Sequence, residues 1–274
     1  MNGGAWTVLG AGCALPRRGY GPSGHVLELP ELEGLTLFDC GPGSLRSLPA
    51  WGFDWRNVRR IVLSHFHIDH CLDLAAFAFA QGNPGAEAGP LEVFATPGID
   101  RVLEGLEFAF GTGARFRETR VHELPAAGGA TGLDLGGVRL HWTANGHKDQ
   151  SVSLRVQLPD GRAVAYTGDT GPVDALTDLA RGVDLLVSEC SFPSEAPAER
   201  HLTPRRAGEL ATAAGVGRLL LTHFYPMLDP GDAALEAAQH FAGPIETARD
   251  GSRHLLTPLR STPQTTPQAP SRAT

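Results

Sequence analysis

Residues 63–70 read Leu63-Ser64-His65-Phe66-His67-Ile68-Asp69-His70, and this stretch decides the fold. It closes an apolar run, Arg60–Ser64, that has strand character. Three histidines and a carboxylate fall within six residues. Imidazole nitrogen and carboxylate oxygen suit zinc and its borderline-soft neighbours. Alternate side chains of an extended segment point the same way, so His65 and His67 can share one metal. Asp69 and His70 stand where the chain turns into a helix, and they can face a second. A histidine-rich loop with ordinary hydrogen bonds is the competing reading. It leaves the density of an HxHxDH pattern at a strand-to-helix junction unexplained.

Four ligands from one loop cannot complete two metal sites. Further donors are expected just after strands, on the same edge. His147 follows the run Val138–Thr143, Asp169 follows Ala163–Thr167, and His223 follows Leu219–Thr222. Each is a polar residue at the end of an apolar run, where loops carry function. Taken singly, each reads more readily as a cap or turn residue. Taken with the cluster, all three read as ligands.

Outward from the cluster, short apolar runs alternate with glycine punctuation. The first strands expected are Trp6–Leu9, Gly24–Leu29, Leu35–Asp39, Arg60–Ser64 and Leu91–Thr96. A second set is Arg120–Leu124, Val138–Thr143, Val152–Leu158, Ala163–Thr167, Leu185–Glu189 and Leu219–Thr222. Hairpins are expected at Gly136-Gly137 and Asp160-Gly161. Helical patterns cover Asp69–Gln81, Ile99–Phe110, Thr203–Ala214 and Asp232–Phe241. Thr203 followed by Pro204 is a strong start signal, an N-cap hydroxyl and then proline at the first helical position. Two strand groups, each followed by helices, predict an α/β (α+β) protein. Its natural architecture is a four-layer αββα sandwich of two mixed β-sheets with outer helices. A single mixed sheet is also compatible with the pattern. Residues 1–260 are expected to form one domain. Residues 261–274 are Ser, Thr, Pro and Gln with little apolar content, and they are expected to be a disordered tail.

Composition removes several function classes. The net charge of −7, with no basic block, argues against tight sequence-independent nucleic-acid binding, which rests on clustered Lys and Arg. A hydrophobic fraction of 42% supports a sizeable core despite 34 glycines and 21 prolines. Cys13, Cys40, Cys71 and Cys190 are widely spaced and form no CxxC, so reduced interior thiols are expected. The start of the chain lacks a charged segment followed by a long apolar one, and no window approaches 18 apolar residues. A cytoplasmic soluble protein is therefore expected.

Taken together, these pieces resemble the metallo-β-lactamase superfamily, and within it the ribonuclease Z-like branch of phosphodiesterases. The matching segments run in order through most of the chain. They are Leu9-Gly10-Ala11-Gly12, Phe38-Asp39-Cys40-Gly41, the HxHxDH cluster, His147 with Ser151 following, Tyr166-Thr167-Gly168-Asp169-Thr170, Ser188-Glu189-Cys190, His201-Leu202-Thr203, and Leu221-Thr222-His223-Phe224. HxHxDH is specific to the superfamily. His201-Leu202-Thr203, with Asp169 and His223, narrows the resemblance to the branch. The resemblance implies two divalent metal ions, zinc by preference and manganese or iron as alternatives. It puts one metal on His65, His67 and His147 and the other on Asp69, His70 and His223, with Asp169 bridging. Asp39 would orient the ligand loop, a role that outer carboxylates often have. A hydroxide shared between the metals would attack phosphorus in line, held by Asp69. His201 would help the leaving oxygen depart.

The resemblance to ribonuclease Z itself is incomplete. Proteins of that family grasp transfer RNA with a long basic arm between the positions of His147 and Asp169. Here residues 148–168, 21 in all, leave no room for one. A small-molecule or short oligonucleotide substrate is therefore expected, such as a cyclic nucleotide or a cyclic ribose phosphate, with no membrane partner. A homodimer is a compatible assembly. The alternatives are a thioester, lactone or sulfate-ester hydrolase on the same scaffold, and a non-catalytic binding protein that keeps the fold. A β-lactamase fits less well, since those enzymes usually lack the bridging aspartate and carry an export signal. A redox di-iron protein would need glutamate in place of His67. His25, His122, His141, His240 and His254 match no motif and are expected to be structural or surface groups.

Overall fold

Strands whose alternate residues are both apolar must be covered on both faces, and the central strands here are of that kind. The computed structural model describes residues 3–15, 17–116, 119–126 and 132–256. The expected tail, 261–274, lies outside them.

The first sheet holds β1 (Ala5–Gly10), β2 (Gly24–Glu28), β3 (Leu35–Cys40), β4 (Val58–Val62), β5 (Leu91–Ala95), β6 (Thr119–Glu123) and β14 (Arg253–Leu255), in the order β14-β1-β2-β3-β4-β5-β6. The second holds β7 (Leu133–Asp134), β8 (Arg139–Ala144), β9 (Val152–Gln157), β10 (Ala163–Tyr166), β11 (Leu185–Glu189), β12 (Leu219–Thr222) and β13 (Ile245–Thr247), in the order β13-β12-β11-β10-β9-β8-β7. Both are mixed. Strands β3 to β6 run parallel, as do β10 to β13, and the remaining pairs are antiparallel.

The period of two sorts each strand's side chains into two cores. From β4, Val62 enters the layer between the sheets, where it joins Trp6, Phe38, Phe94, Trp142, Leu154, Tyr166 and Val187. Its neighbour Ile61 faces outward and packs on Leu48 of α1 (Ser44–Ala50), Leu74 and Phe77 of α3 (Asp73–Gln81) and Ile99 of α4 (Ile99–Phe110). On the other side, Leu186 of β11 packs with Leu176 of α5 (Asp174–Ala180), Leu210 of α6 (Pro204–Ala214) and Ala233 of α7 (Pro230–Ala237). Helix, sheet, sheet and helix are therefore four layers, as the sequence pattern predicts.

Several boundaries differ from the sequence reading, each for a physical reason. The strand expected over Arg120–Leu124 belongs by sequence order to the second set, but it spans Thr119–Glu123 and pairs in parallel with β5 at the edge of the first sheet. The helix expected over Asp69–Gln81 divides into α2 (Ile68–Cys71) and α3, although Leu72 between them keeps helical dihedrals of φ −65° and ψ −32°. The break is one tighter turn, in which the Ala75 amide donates to the Leu72 carbonyl at 3.2 Å. The last helix starts at Pro230 and not at Asp232, because Asp229 caps it by accepting from the Gly231 and Asp232 amides at 2.7 and 3.2 Å. Helices α1 and α5 and strands β7, β13 and β14 are too short to show a period. The hairpins at Gly136-Gly137 and Asp160-Gly161 are present as antiparallel pairs β7–β8 and β9–β10. All four cysteines are free and buried. Among the described residues no helix is long and apolar enough to cross a membrane.

Candidate metal centre

Strands β10, β11 and β12 point the same way, and β8 shares that direction because both β8 and β10 run against β9. Their C-terminal ends therefore meet at one edge, where they deliver His147, Asp169, Glu189 and His223. The parallel strands β3 and β4 bring Asp39 and His65 to the same place. His67 caps α2 with extended dihedrals of φ −66° and ψ 150°. Asp69 and His70 lie in that helix's first turn.

Two glycines let the loops close on one another. A Cβ on Gly41 would sit 2.1 Å from the Asp69 carbonyl oxygen. Gly168 has φ +55°, and its Cβ would lie 2.6 Å from that of Ser64. Asp39 and His223 themselves adopt φ of 55° and 59°, so local strain is stored at the centre.

The side chains form two groups that share a carboxylate. In the first, His147 Nε2 lies 3.1 Å from His67 Nδ1. Asp169 Oδ2 is 4.0 Å from His65 Nε2 and 3.9 Å from His147 Nε2. In the second, His70 Nε2 and His223 Nε2 are 3.2 Å apart, and each is within 3.7 Å of Asp69 Oδ2. Asp169 Oδ1 is 3.4 Å from His70 Nε2 and 3.2 Å from His223 Nε2. One oxygen of Asp169 thus faces each group. His65, His67, His147 and Asp169 converge, as do Asp69, His70 and His223, each group with its ligand atoms within 4.8 Å of one another, close enough to hold a cation.

The outer nitrogens explain why the inner ones carry lone pairs. His70 Nδ1 is 2.7 Å from Asp39 Oδ2, His147 Nδ1 is 3.0 Å from the Arg200 carbonyl, and His223 Nδ1 is 3.0 Å from Ser191 Oγ. His65 Nδ1 is 3.0 Å from Ser64 Oγ. A neutral imidazole that donates outward must present an acceptor inward. With both rings neutral, His70 Nε2 and His223 Nε2 face one another as acceptors at 3.2 Å, which a cation between them would relieve. With no cation there, burial is outweighed by Asp169 and Asp39, which hold His70 well above the ordinary imidazole range. His65 Nε2 and Asp169 Oδ1, both buried, have no hydrogen-bond partner among the described residues. Burial holds His65 and His67 below the ordinary imidazole range and lowers His147 to about 4, so these rings stay neutral. Burial opposes ionisation of Asp169, yet His223 and His70 hold its carboxyl well below the usual range. This donor set suits divalent cations, and zinc among them.

Asp39 is buried and saturated. It accepts from the Ser64 amide at 2.8 Å, Ser64 Oγ at 2.9 Å and Tyr166 OH at 2.6 Å, besides facing His70.

His201 stands beside the centre, before the Thr203 cap of α6. Its ring centroid is 4.8 Å from that of His147, and its Nδ1 is 4.0 Å from Asp169 Oδ2. Sequence reasoning assigned no role to the residue that holds it. Glu189, fully buried at the end of β11, accepts from His201 Nδ1 at 3.1 Å. It also accepts from the Thr170 amide and from Ser191 Oγ, each at 2.5 Å. Burial lowers the His201 pKa, but the bond to Glu189 outweighs it and the net shift is upward. Asp169, His201 and His223 also approach as a third group. There His201 Nδ1 is already engaged by Glu189, which leaves this ring outside the two donor groups. An acid closing an apolar run, as in Leu185-Leu186-Val187-Ser188-Glu189, was the available signal. The five histidines outside the motifs lie away from the donor groups: His25 accepts from Trp6 Nε1 at 3.2 Å, and His254 Nδ1 pairs with Glu246 at 2.7 Å.

Comparison with known proteins places this geometry. A model of the beta-lactamase superfamily domain matches residues 36–224. A ribonuclease Z of Mycobacterium bovis is 31% identical over 283 aligned positions, covering 93% of this chain and 99% of that protein. The solved metallo-beta-lactamase fold protein YhfI from Bacillus subtilis superposes with a TM-score of 0.79 at 23% identity, over 91% of this chain and 98% of that one. The short form of human tRNase Z superposes with a TM-score of 0.75, also at 23% identity, over 92% and 99%.

Proposed function

The chain belongs to the β-lactamase superfamily and is a ribonuclease Z-like metal-dependent hydrolase, and from that premise we propose that it is a binuclear phosphodiesterase acting on a small or single-stranded phosphodiester. The observation that carries this reading is the division of Asp169, with Oδ2 toward His65 and His147 and Oδ1 toward His70 and His223. His65, His67 and His147 would hold one divalent cation, and Asp69, His70 and His223 the other, with Asp169 common to both. When bound, such a pair polarises the ester and lowers the pKa of water from ~15.7 to ~7, so a nucleophile exists at neutral pH.

The chain's own residues do the rest. Asp39 and Ser64 fix the rings of His70 and His65, so the donor atoms are set before substrate arrives. Asp69 Oδ2 points into the centre, where it can accept a proton from the attacking water and orient it. His201 carries a proton on Nδ1 toward Glu189, which pins the ring and favours its charged form. Its other nitrogen is then able to hand a proton to the departing alkoxide, general acid help worth about 10²–10⁴ in rate. The ring suits this work because Glu189 is buried and already accepts two other hydrogen bonds.

Residues 148–168 support a small substrate. They form little besides the β9–β10 hairpin, with Val152–Gln157 and Ala163–Tyr166 directly paired. The test is a side-by-side assay of the metal-loaded protein with bis(p-nitrophenyl) phosphate, a thioester and a lactone. Turnover of the phosphodiester above the other two is expected. A metal-loaded protein that turns over only the thioester or the lactone would overturn the phosphodiesterase reading and leave the fold untouched.

A further inference from the structure

Phe192 and Tyr225 follow the ends of two neighbouring parallel strands, β11 and β12, and so emerge at the same edge as the metal donors. Both are half-buried, although Phe224 next door is fully packed in the core. The Tyr225 amide donates to the Ser191 carbonyl at 3.3 Å, which ties the two loops together. The rings lie 4.5 Å apart at 30° to one another. Each stands across the imidazole of His201, Phe192 at 5.3 Å and 75° and Tyr225 at 6.1 Å and 69°. Tyr225 also stands across His223 at 5.9 Å and 63°. The imidazoles of His201 and His223 are themselves nearly parallel, at 10°. An aromatic wall therefore rises on the His201 side of the centre. Met227, 58% exposed in the turn from Tyr225 to Leu228, extends its apolar rim.

We infer that Phe192 and Tyr225 form a stacking subsite for a heteroaromatic base carried by the leaving half of the substrate. The inference rests on the phosphodiesterase reading and narrows the substrate class to nucleotide diesters. An aromatic face recognises any flat base by stacking and needs no basic surface, in keeping with a chain of net charge −7. The charge of the phosphodiester is met at the metal centre, and the wall meets the base. A base seated there holds the leaving oxygen toward His201, so stacking is expected in kcat/KM as well as in affinity.

The experiment compares a dinucleoside monophosphate with two analogues, each lacking one base. The leaving alkoxide is the same in all three. Loss of the base on the leaving side is expected to lower kcat/KM about ten-fold, and loss of the other base to change it much less. The Tyr225→Leu and Phe192→Leu variants keep apolar bulk and remove the π face. In each, the ratio between base-bearing and base-free substrate should fall toward one, whatever happens to the absolute rate, and Tyr225→Phe should restore it. A binding arm reads the same subsite without turnover. Adenosine, the kind of alcohol the leaving half is released as, should bind about ten-fold tighter than ribose by calorimetry, a gap that Tyr225→Leu closes. A wild-type protein that cleaves phosphodiesters but ignores both bases, or variants that keep the full ratio, overturns the subsite alone. A protein that cleaves no phosphodiester overturns the function on which it rests.

Discussion

At the scale of single residues, His201 is the group that the proposed phosphodiesterase reading adds to the two donor groups. It lies outside the two donor groups but within 4.0 Å of Asp169, and Glu189 anchors it. The His201→Ala variant should therefore retain its metals, read by elemental analysis, while kcat falls by about 10²–10⁴. Metal loss, or unchanged turnover, would contradict the assignment. The residues that the structure brings together in the two donor groups were legible in sequence because each closes an apolar run or sits in the dense HxHxDH cluster. The role of Glu189 was not, because an acid closing an apolar run signals a site but does not say which group it will hold. Its role comes from His201 arriving from a segment twelve residues later, through a loop whose course only the packed sheets define. Phe192 and Tyr225 were hidden for the same reason.

At the scale of elements, the centre depends on loops that pack closer than side chains normally allow. Gly168 joins β10 to Asp169 with φ +55°, and its Cβ would meet Ser64 at 2.6 Å. Left-handed backbone at a non-glycine residue costs about 1–2 kcal/mol. Overpacking of a tight site adds about 1–3 kcal/mol. Gly168→Ala is thus expected to destabilise the protein by roughly 2–5 kcal/mol, seen as a lower urea midpoint at unchanged slope. It should also weaken metal binding, since Ser64 orients both His65 and Asp39. A variant as stable as the parent, with metal affinity intact, would show that the close approach is incidental. Long elements with several periods were legible, such as α4 over Ile99–Phe110 and β11 over Leu185–Glu189. The edge strands β7, β13 and β14 were not. Two or three residues carry no period, and β14 pairs with β1 only because the chain returns across the whole domain, Trp6 against His254.

At the scale of the whole molecule, the layer between the sheets encloses an ionisable group. His25 is fully buried among Trp6 and Tyr166, and burial lowers its pKa from 6.5 to about 3. Its folded pKa lies below the unfolded value, so the folded state prefers the neutral ring. The stability this contributes is full above pH 6.5 and is lost as pH falls from there toward about 3. Between pH 6.5 and 5 the loss should be about 2 kcal/mol from this group. Urea unfolding of the metal-free protein at pH 7 and pH 5 should show that His25→Leu loses less stability than the parent over the same interval. Equal losses would mean that His25 takes up its proton without penalty. The four layers themselves were legible, because two strand groups with apolar residues on both faces need a helix layer on each outer side. The membership of β6 was not, since nothing local tells an edge strand which sheet it joins.

The central claim is that this edge of the two sheets holds two metal ions with Asp169 between them. It is tested most directly by counting metal per chain, by elemental analysis after zinc loading and removal of loosely bound ions. The account predicts two equivalents for the native protein. One equivalent or none would contradict it.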